Sequence, residues 1–271
     1  PFIETIRFNM KLADILRIDH IMGLRRLFWI PVGKKPKDGA YVRYPMEELL
    51  GILCLESHRN KCVVVGEDLG TVPEEVRIAM EEKKILSSSV LIFEKEGWRY
   101  RRPEEIKPFS VATITTHDLP TLKGFWEGRD IEVRERLGLF ETDLARLKHL
   151  EARLLDKKGL IAVLKESELI SREIEDEELL DNFSDLLIKA FHKYLIKSPS
   201  KITMFAFEDL IGELDQKNLP GTVSEYPNWQ KKLPLQIEGL LSHELFLWLK
   251  GELEKEVGVP DDFGDPVSPL V

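Results

Sequence analysis

Five short runs of β-branched and apolar residues, ILRID (15–19), CVVVG (62–66), SVLIF (89–93), VATIT (111–115) and ITMFAF (202–207), alternate with stretches of helical character. A strand apolar on both faces has to be covered on both, and intervening helices supply the cover. The pattern therefore predicts an α/β fold around a parallel sheet. PMEELLGILCLESHRNK and VPEEVRIAMEEKKI carry the helical spacing, with Pro45 and Pro73 near their first turns and acids after them. Residues 130–198 read as a long charged helical insertion before the last strand, its ESELISREIEDEELLD segment as a solvated face. The expected organisation is a parallel-sheet segment over 1–129, an inserted helical subdomain over 130–198, and a last strand followed by a C-terminal helix over 199–271. A closed (β/α)8 barrel needs eight strands. Five leave it open, weakly patterned in places or short of its N-terminal part. The tail after Gly258 is rich in Pro and Asp and reads as irregular.

Charge and composition narrow the function classes. The 48 acidic against 39 basic residues give a net charge of -9, which repels phosphate backbones, so nucleic acid is not an expected partner and Trp98 with RYRR (99–102) reads as a solvated loop. No apolar run approaches the ~18 residues of a membrane span, and PFIETIRFNMKL lacks the regions of a secretory signal, so no membrane partner is expected and the expected location is cytoplasmic. The chain begins at Pro1 rather than a methionine, which leaves room for native sequence upstream, a targeting segment included. Cys54 and Cys62, on an apolar helix face and at a strand start, read as reduced structural thiols.

The strands end in acids. ILRID delivers Asp19 and then His20, VVVGED delivers Glu67 and Asp68, VATITTHD delivers His117 and Asp118, and ITMFAFED delivers Glu208 and Asp209. In parallel α/β folds the C-terminal strand ends share one face, so acids distant in sequence are expected to converge in one cleft. Any one of them taken alone, Asp68 or Asp209 for instance, reads equally well as a helix N-cap. Repetition favours chemistry. Several carboxylates with a histidine and an arginine, and no glycine-rich phosphate loop, suit glycosyl transfer through an oxocarbenium-like transition state. Arg17, two residues before Asp19, falls on the same strand face and is expected to pair with it. A metal site built from His20, Glu67, Asp68, His117 and Asp118 is the rival reading, although no H-E-x-x-H is present, and the absence of G-x-S-x-G argues against a serine hydrolase.

LRIDHIMGLRRLFWIP, VVVGEDLGTVP, TTHDLPTLKGFW and NLPGTVSEYPNWQKKLP, in that order, resemble the 4-α-glucanotransferases (amylomaltases) of the α-amylase clan, over about Pro1 to Lys232. The resemblance implies a retaining double displacement without a metal or other cofactor. Asp19 matches the nucleophile, Glu67 the general acid/base and Asp118 the acid that grips the substrate. Arg17, His20, His117 and Trp229 match substrate-side positions, and Asn218 and Asn228 follow the family pattern near the final strand, Asn218 as a substrate-binding candidate. The implied partners are an α-1,4-glucan (maltodextrin) donor and a glucose or maltodextrin acceptor. Trp29, Trp126 and Trp229 are the candidate sugar platforms.

Family members carry substantial sequence before the RIDH strand. The resemblance thus implies that the five strands are the fourth to eighth of a (β/α)8 TIM barrel, and that a missing N-terminal segment or self-association covers the exposed edge. An α-glucan hydrolase of the same clan and an inactive fragment awaiting its N-terminal segment stay open as alternatives.

Overall fold

A computed structural model describes residues 1–257; the Pro- and Asp-rich tail lies outside the described residues. The strands are β1 (Ile15–Ile18), β2 (Arg26–Trp29), β3 (Ala40–Arg43), β4 (Val63–Gly66), β5 (Ser87–Val90), β6 (Lys95–Glu96), β7 (Arg99–Tyr100), β8 (Ser110–Thr113) and β9 (Ile202–Thr203). The chain divides into two compact units. One holds Pro1–Ser89, Lys107–Ala112 and Ser200–Ile202; the other holds Val90–Ile106, Thr113–Pro199 and the chain from Thr203 onward.

In the first unit, β1 and β4 pair in parallel, Ile15 opposite Val63 through Ile18 opposite Gly66. Val65 then bridges Leu86 in the parallel sense, just before β5, and β5, β8 and β9 follow one another as neighbours. Spatial order tracks chain order, as expected when helices cross over between parallel strands. In this unit α2 (Met46–Asn60) connects β1 to β4 and α3 (Glu74–Glu82) connects β4 to β5, while α1 (Phe2–Met10) precedes β1. Their helically spaced residues Ile6 and Met10, Leu50 and Leu53, and Val76, Ala79 and Met80 bury against Val64, Ile21 and Ile85. Gly66 ends β4 under close packing: a Cβ there would stand 2.8 Å from Met80 Cε and 3.1 Å from Ile21 Cγ1, so those side chains would have to shift to admit one. Glu56 is a buried acid on α2, and Arg7 of α1 answers it with Nε at 2.9 Å and Nη2 at 2.8 Å. Those bonds hold its carboxyl down at about 2. Cys62 is buried and Cys54 half-buried, both as free thiols.

The second unit is mainly helical: α4 (Leu122–Glu127), α5 (Arg129–Arg136), α6 (Asp143–Glu166), α7 (Asp176–Asp181), α8 (Asp185–Ile196), α9 (Phe207–Leu210), α10 (Ile237–Leu240) and α11 (Glu244–Val257). Its core runs along α8, where Leu187, Ile188, Ala190, Phe191, His192, Tyr194 and Leu195 are all buried. Ile188 packs with Leu210, Leu245 and Leu249.

Three expectations change. SVLIF is strand only at its start: β5 is SSSV, and Leu91–Phe93 is a 3-10 turn. The serines have weak strand propensity, yet Ser88 Oγ donates to Gly66 O at 3.3 Å and Ser87 N–H to Phe109 O at 3.1 Å, so tertiary pairing decides. ITMFAF is strand only at Ile202–Thr203; Phe205 packs into the Ile188 cluster and Phe207 begins α9. RYRR is no solvated loop, for Arg99–Tyr100 pairs with Lys95–Glu96 as a hairpin and Tyr100 is buried. Gly159 of α6 admits that hairpin, since a Cβ there would meet Trp98 O at 2.5 Å.

Candidate active site

In the first unit the ends of β1 and β4 are laced together. The register sets Ile18 opposite Gly66, so Asp19 and Glu67 leave neighbouring strands side by side, ~4.8 Å apart in the pairing direction. Glu67 N–H donates to Ile18 O at 2.9 Å and Ile21 N–H to Glu67 O at 3.0 Å. Between them His20 adopts a left-handed conformation, φ 44°, one that histidine tolerates better than most residues. That turn aims the His20 N–H at Glu67 Oε2, 2.9 Å away, and Leu69 N–H donates to Oε1 at 2.7 Å. Both oxygens of the Glu67 carboxylate are thus located by backbone amides. Arg17 Nη1 lies 2.8 Å from Asp19 Oδ1, the pairing predicted from their spacing. Asp19 is exposed and Glu67 half-buried.

Asp68 points the other way. Its carboxylate is buried and accepts from Ser88 N–H at 2.8 Å, which ties the GED turn to β5. Burial pushes its carboxyl up, partly offset by that bond. It does not cap α3, which starts at Glu74.

In the second unit, Asp118 is exposed on the loop after β8 and is gripped from two sides. Asn218 Nδ2 donates to Oδ1 at 2.6 Å and His117 Nε2 stands 3.4 Å from Oδ2. The Trp229 ring lies against His117, centroids 5.2 Å apart, on a backbone with φ 60° that Trp229 N–H steadies by donating to Lys217 O at 2.9 Å. Asn228 accepts from Leu219 N–H at 2.8 Å and donates to Thr222 Oγ1 at 2.9 Å, closing the loop that presents Asn218 and Trp229. Sequence-predicted residues therefore assemble as two sets: Arg17, Asp19, His20 and Glu67 in the first unit, and His117, Asp118, Asn218 and Trp229 in the second.

Trp126 is not a sugar platform. It is 3% exposed, packs edge-on to Phe191 and donates Nε1–H to Leu179 O at 2.9 Å, so its apolar bulk serves the core. Trp29 is exposed on β2, its Nε1–H donated to Tyr44 Oη at 2.8 Å. Asp209, read from sequence as a possible cap, is buried against the Asp118 loop, a placement without a local signal beyond its position after a strand. Among the described residues no group of three or more His, Cys, Asp and Glu side chains is arranged to hold a metal ion. Among the same residues no helix is long and apolar enough to cross a membrane.

The α/β fold is that of an amylomaltase: the crystal structure of amylomaltase from Corynebacterium glutamicum matches with a TM-score of 0.84 at 32% identity, over 93% of this chain and 37% of that one. Residues 1–236 match the family model for 4-alpha-glucanotransferase, and the chain belongs to that family. The 4-alpha-glucanotransferase of Haemophilus influenzae is 41% identical over 244 residues, which make up 90% of this chain and 35% of that protein. That of Mycobacterium tuberculosis is 37% identical over 238 residues, 86% of this chain and 32% of that protein. The chain thus spans about a third of the length of the curated relatives it matches.

Proposed function

We propose that the chain carries the three catalytic acids of a 4-α-glucanotransferase, which moves a segment of an α-1,4-glucan to the 4-hydroxyl of glucose or another glucan. The observation that carries this reading is the lacing of Glu67 to the Asp19–His20 turn by the His20 amide, beside the Arg17–Asp19 pair. Adjacent carboxylates on paired strand ends suit the short separation of retaining enzymes, roughly 5–5.5 Å.

In the first step an Asp19 oxygen forms a bond to the anomeric carbon while the bond to the glycosidic oxygen breaks and Glu67 gives that oxygen its proton. The shortened glucan leaves. In the second step Glu67 takes the proton of an acceptor 4-hydroxyl, whose oxygen displaces Asp19 and restores the original anomeric configuration. Arg17 keeps Asp19 oriented for attack. Asp118, held by Asn218 and His117, keeps acceptor capacity for sugar hydroxyls, and the exposed Trp229 face beside His117 offers an apolar surface to a pyranose ring. Trp29 is a second candidate platform.

The strand order supports reading β1, β4, β5, β8 and β9 as the fourth to eighth strands of a (β/α)8 barrel. Within it, 130–198 form an inserted helical subdomain between barrel parts at 1–129 and 199–271. An N-terminal segment or self-association would complete the barrel, and a cytoplasmic location suits a maltodextrin substrate. Incubation with maltotriose tests the activity. Glucose together with maltodextrins longer than the substrate is the expected product pattern; short products alone would make the chain an α-glucan hydrolase and overturn the reading.

A further inference from the structure

The acids after β9 have no part in the chemistry above, yet they brace it. Asp209, on α9, is 1% exposed and both of its oxygens are engaged. Thr115 Oγ1 donates to Oδ2 at 2.6 Å and Leu122 N–H donates to Oδ1 at 2.7 Å. Thr115 enters and Leu122 leaves the loop that carries His117 and Asp118. One carboxylate therefore closes both ends of that loop. Thr121, at the exit, adds a bond to Glu213 O at 2.6 Å. The neighbouring acid braces the other half of the site: Glu208 pairs with Lys217 at 2.7 Å, and Lys217 directly precedes Asn218, the donor to Asp118.

A fully buried carboxylate is an unfavourable choice for packing alone, because an apolar side chain of similar size fills the same space without desolvating a charge. Burial pushes Asp209 up to about 6 despite its two donors. Its bond to Leu122 also satisfies the first amide of α4, so a purely structural role has to be separated from a functional one.

We propose that Asp209 is a positioning residue for Asp118, fixing the Thr115–Leu122 loop at both ends so that the acid and His117 meet substrate in one geometry. The inference rests on the reading of Asp118 as a catalytic acid. Asp209→Ala removes both acceptors, whereas Asp209→Asn keeps the shape and one acceptor. Both variants are made in the whole protein that carries this chain. Amide hydrogen exchange over 115–122 reports the loop without reference to activity. The alanine variant should exchange there about tenfold faster or more, with α6 and α8 unchanged, and the asparagine variant should stay close to wild type. On maltotriose, a misplaced Asp118 should lower kcat of the alanine variant on the order of 10²-fold per folded molecule with KM little changed, and asparagine should restore most of it.

Unchanged exchange over 115–122, or unchanged kcat per folded molecule, overturns the proposal. A lowered melting temperature with normal kcat reduces Asp209 to a structural cap and overturns it too. If the wild-type protein does not disproportionate maltotriose, the functional reading falls, and the exchange measurement still decides whether Asp209 holds the loop.

Discussion

Acid should loosen the second unit through one residue, His192. It is fully buried on α8, its ring stacked on Phe205 at 5.8 Å, and Nδ1 lies 2.7 Å from Ile188 O. Nε2 is buried without a partner. The neutral ring with its proton on Nδ1 satisfies Ile188 O and leaves only a lone pair at Nε2. A second proton would bury a charge and a donor with nothing to receive it. Burial accordingly lowers the folded pKa from 6.5 to about 4. The unfolded chain then takes up the proton first as pH falls, so stability is lost progressively from about 6.5 down to about 4. At ~1.4 kcal/mol for each pH unit, the loss comes to ~3 kcal/mol.

Asp209 works in the opposite sense in the same unit. Its folded pKa is raised from 3.8 to about 6, so its contribution is fully present below 3.8 and is lost as pH rises through about 6. The two effects overlap and partly cancel in the wild-type profile. The informative quantity is therefore the difference in unfolding free energy between wild type and His192→Phe, from denaturant titrations at a series of pH values. From pH 7 to pH 4 wild type should lose ~3 kcal/mol more than the variant. Curves that run parallel over that range would refute the reasoning, whatever their offset.

Two substitutions test the packing of the same unit. Arg153 and Asp130 form a two-pronged pair at 2.9 and 2.8 Å, with side chains 13% and 12% exposed, so Asp130→Ala strands a nearly buried guanidinium. It should destabilise by roughly 3–5 kcal/mol in denaturant unfolding, and a second substitution Arg153→Met should recover much of the loss. Gly124 lies within α4, where helix propensity alone would reward alanine by ~1 kcal/mol. A Cβ there would stand 2.4 Å from the Leu214 backbone oxygen, so Gly124→Ala should instead cost about 1–3 kcal/mol, read as a lower melting temperature.

What could be read from the sequence was whatever depends on local periodicity or on position relative to a strand end. The apolar run before Glu67 announced β4, and the two-residue spacing of Arg17 and Asp19 announced their contact. The β2–β3 hairpin escaped because RLFW and AYVR show no clean alternation and their side chains stay largely exposed. SSSV escaped because its pairing depends on neighbours supplied by β4 and β8. Trp126 and Trp229 carry the same side chain into opposite fates, one walled in by Phe183 and Phe191, the other set outside by a left-handed backbone. Asp209 was visible as an acid after a strand, but its partners Thr115 and Leu122 lie far away in sequence.

The central claim is that Asp19 forms the covalent bond to sugar and Glu67 moves the proton. An α-maltosyl fluoride tests it most directly, because fluoride departs without protonation. In the whole protein with Glu67→Gln, the first step should proceed and the second, lacking its base, should stall. Mass spectrometry of the digested protein should then find a maltosyl group on the peptide containing Asp19, on that carboxylate. A glycosyl group on another carboxylate such as Asp118, or turnover with inverted anomeric configuration and no adduct, would contradict it.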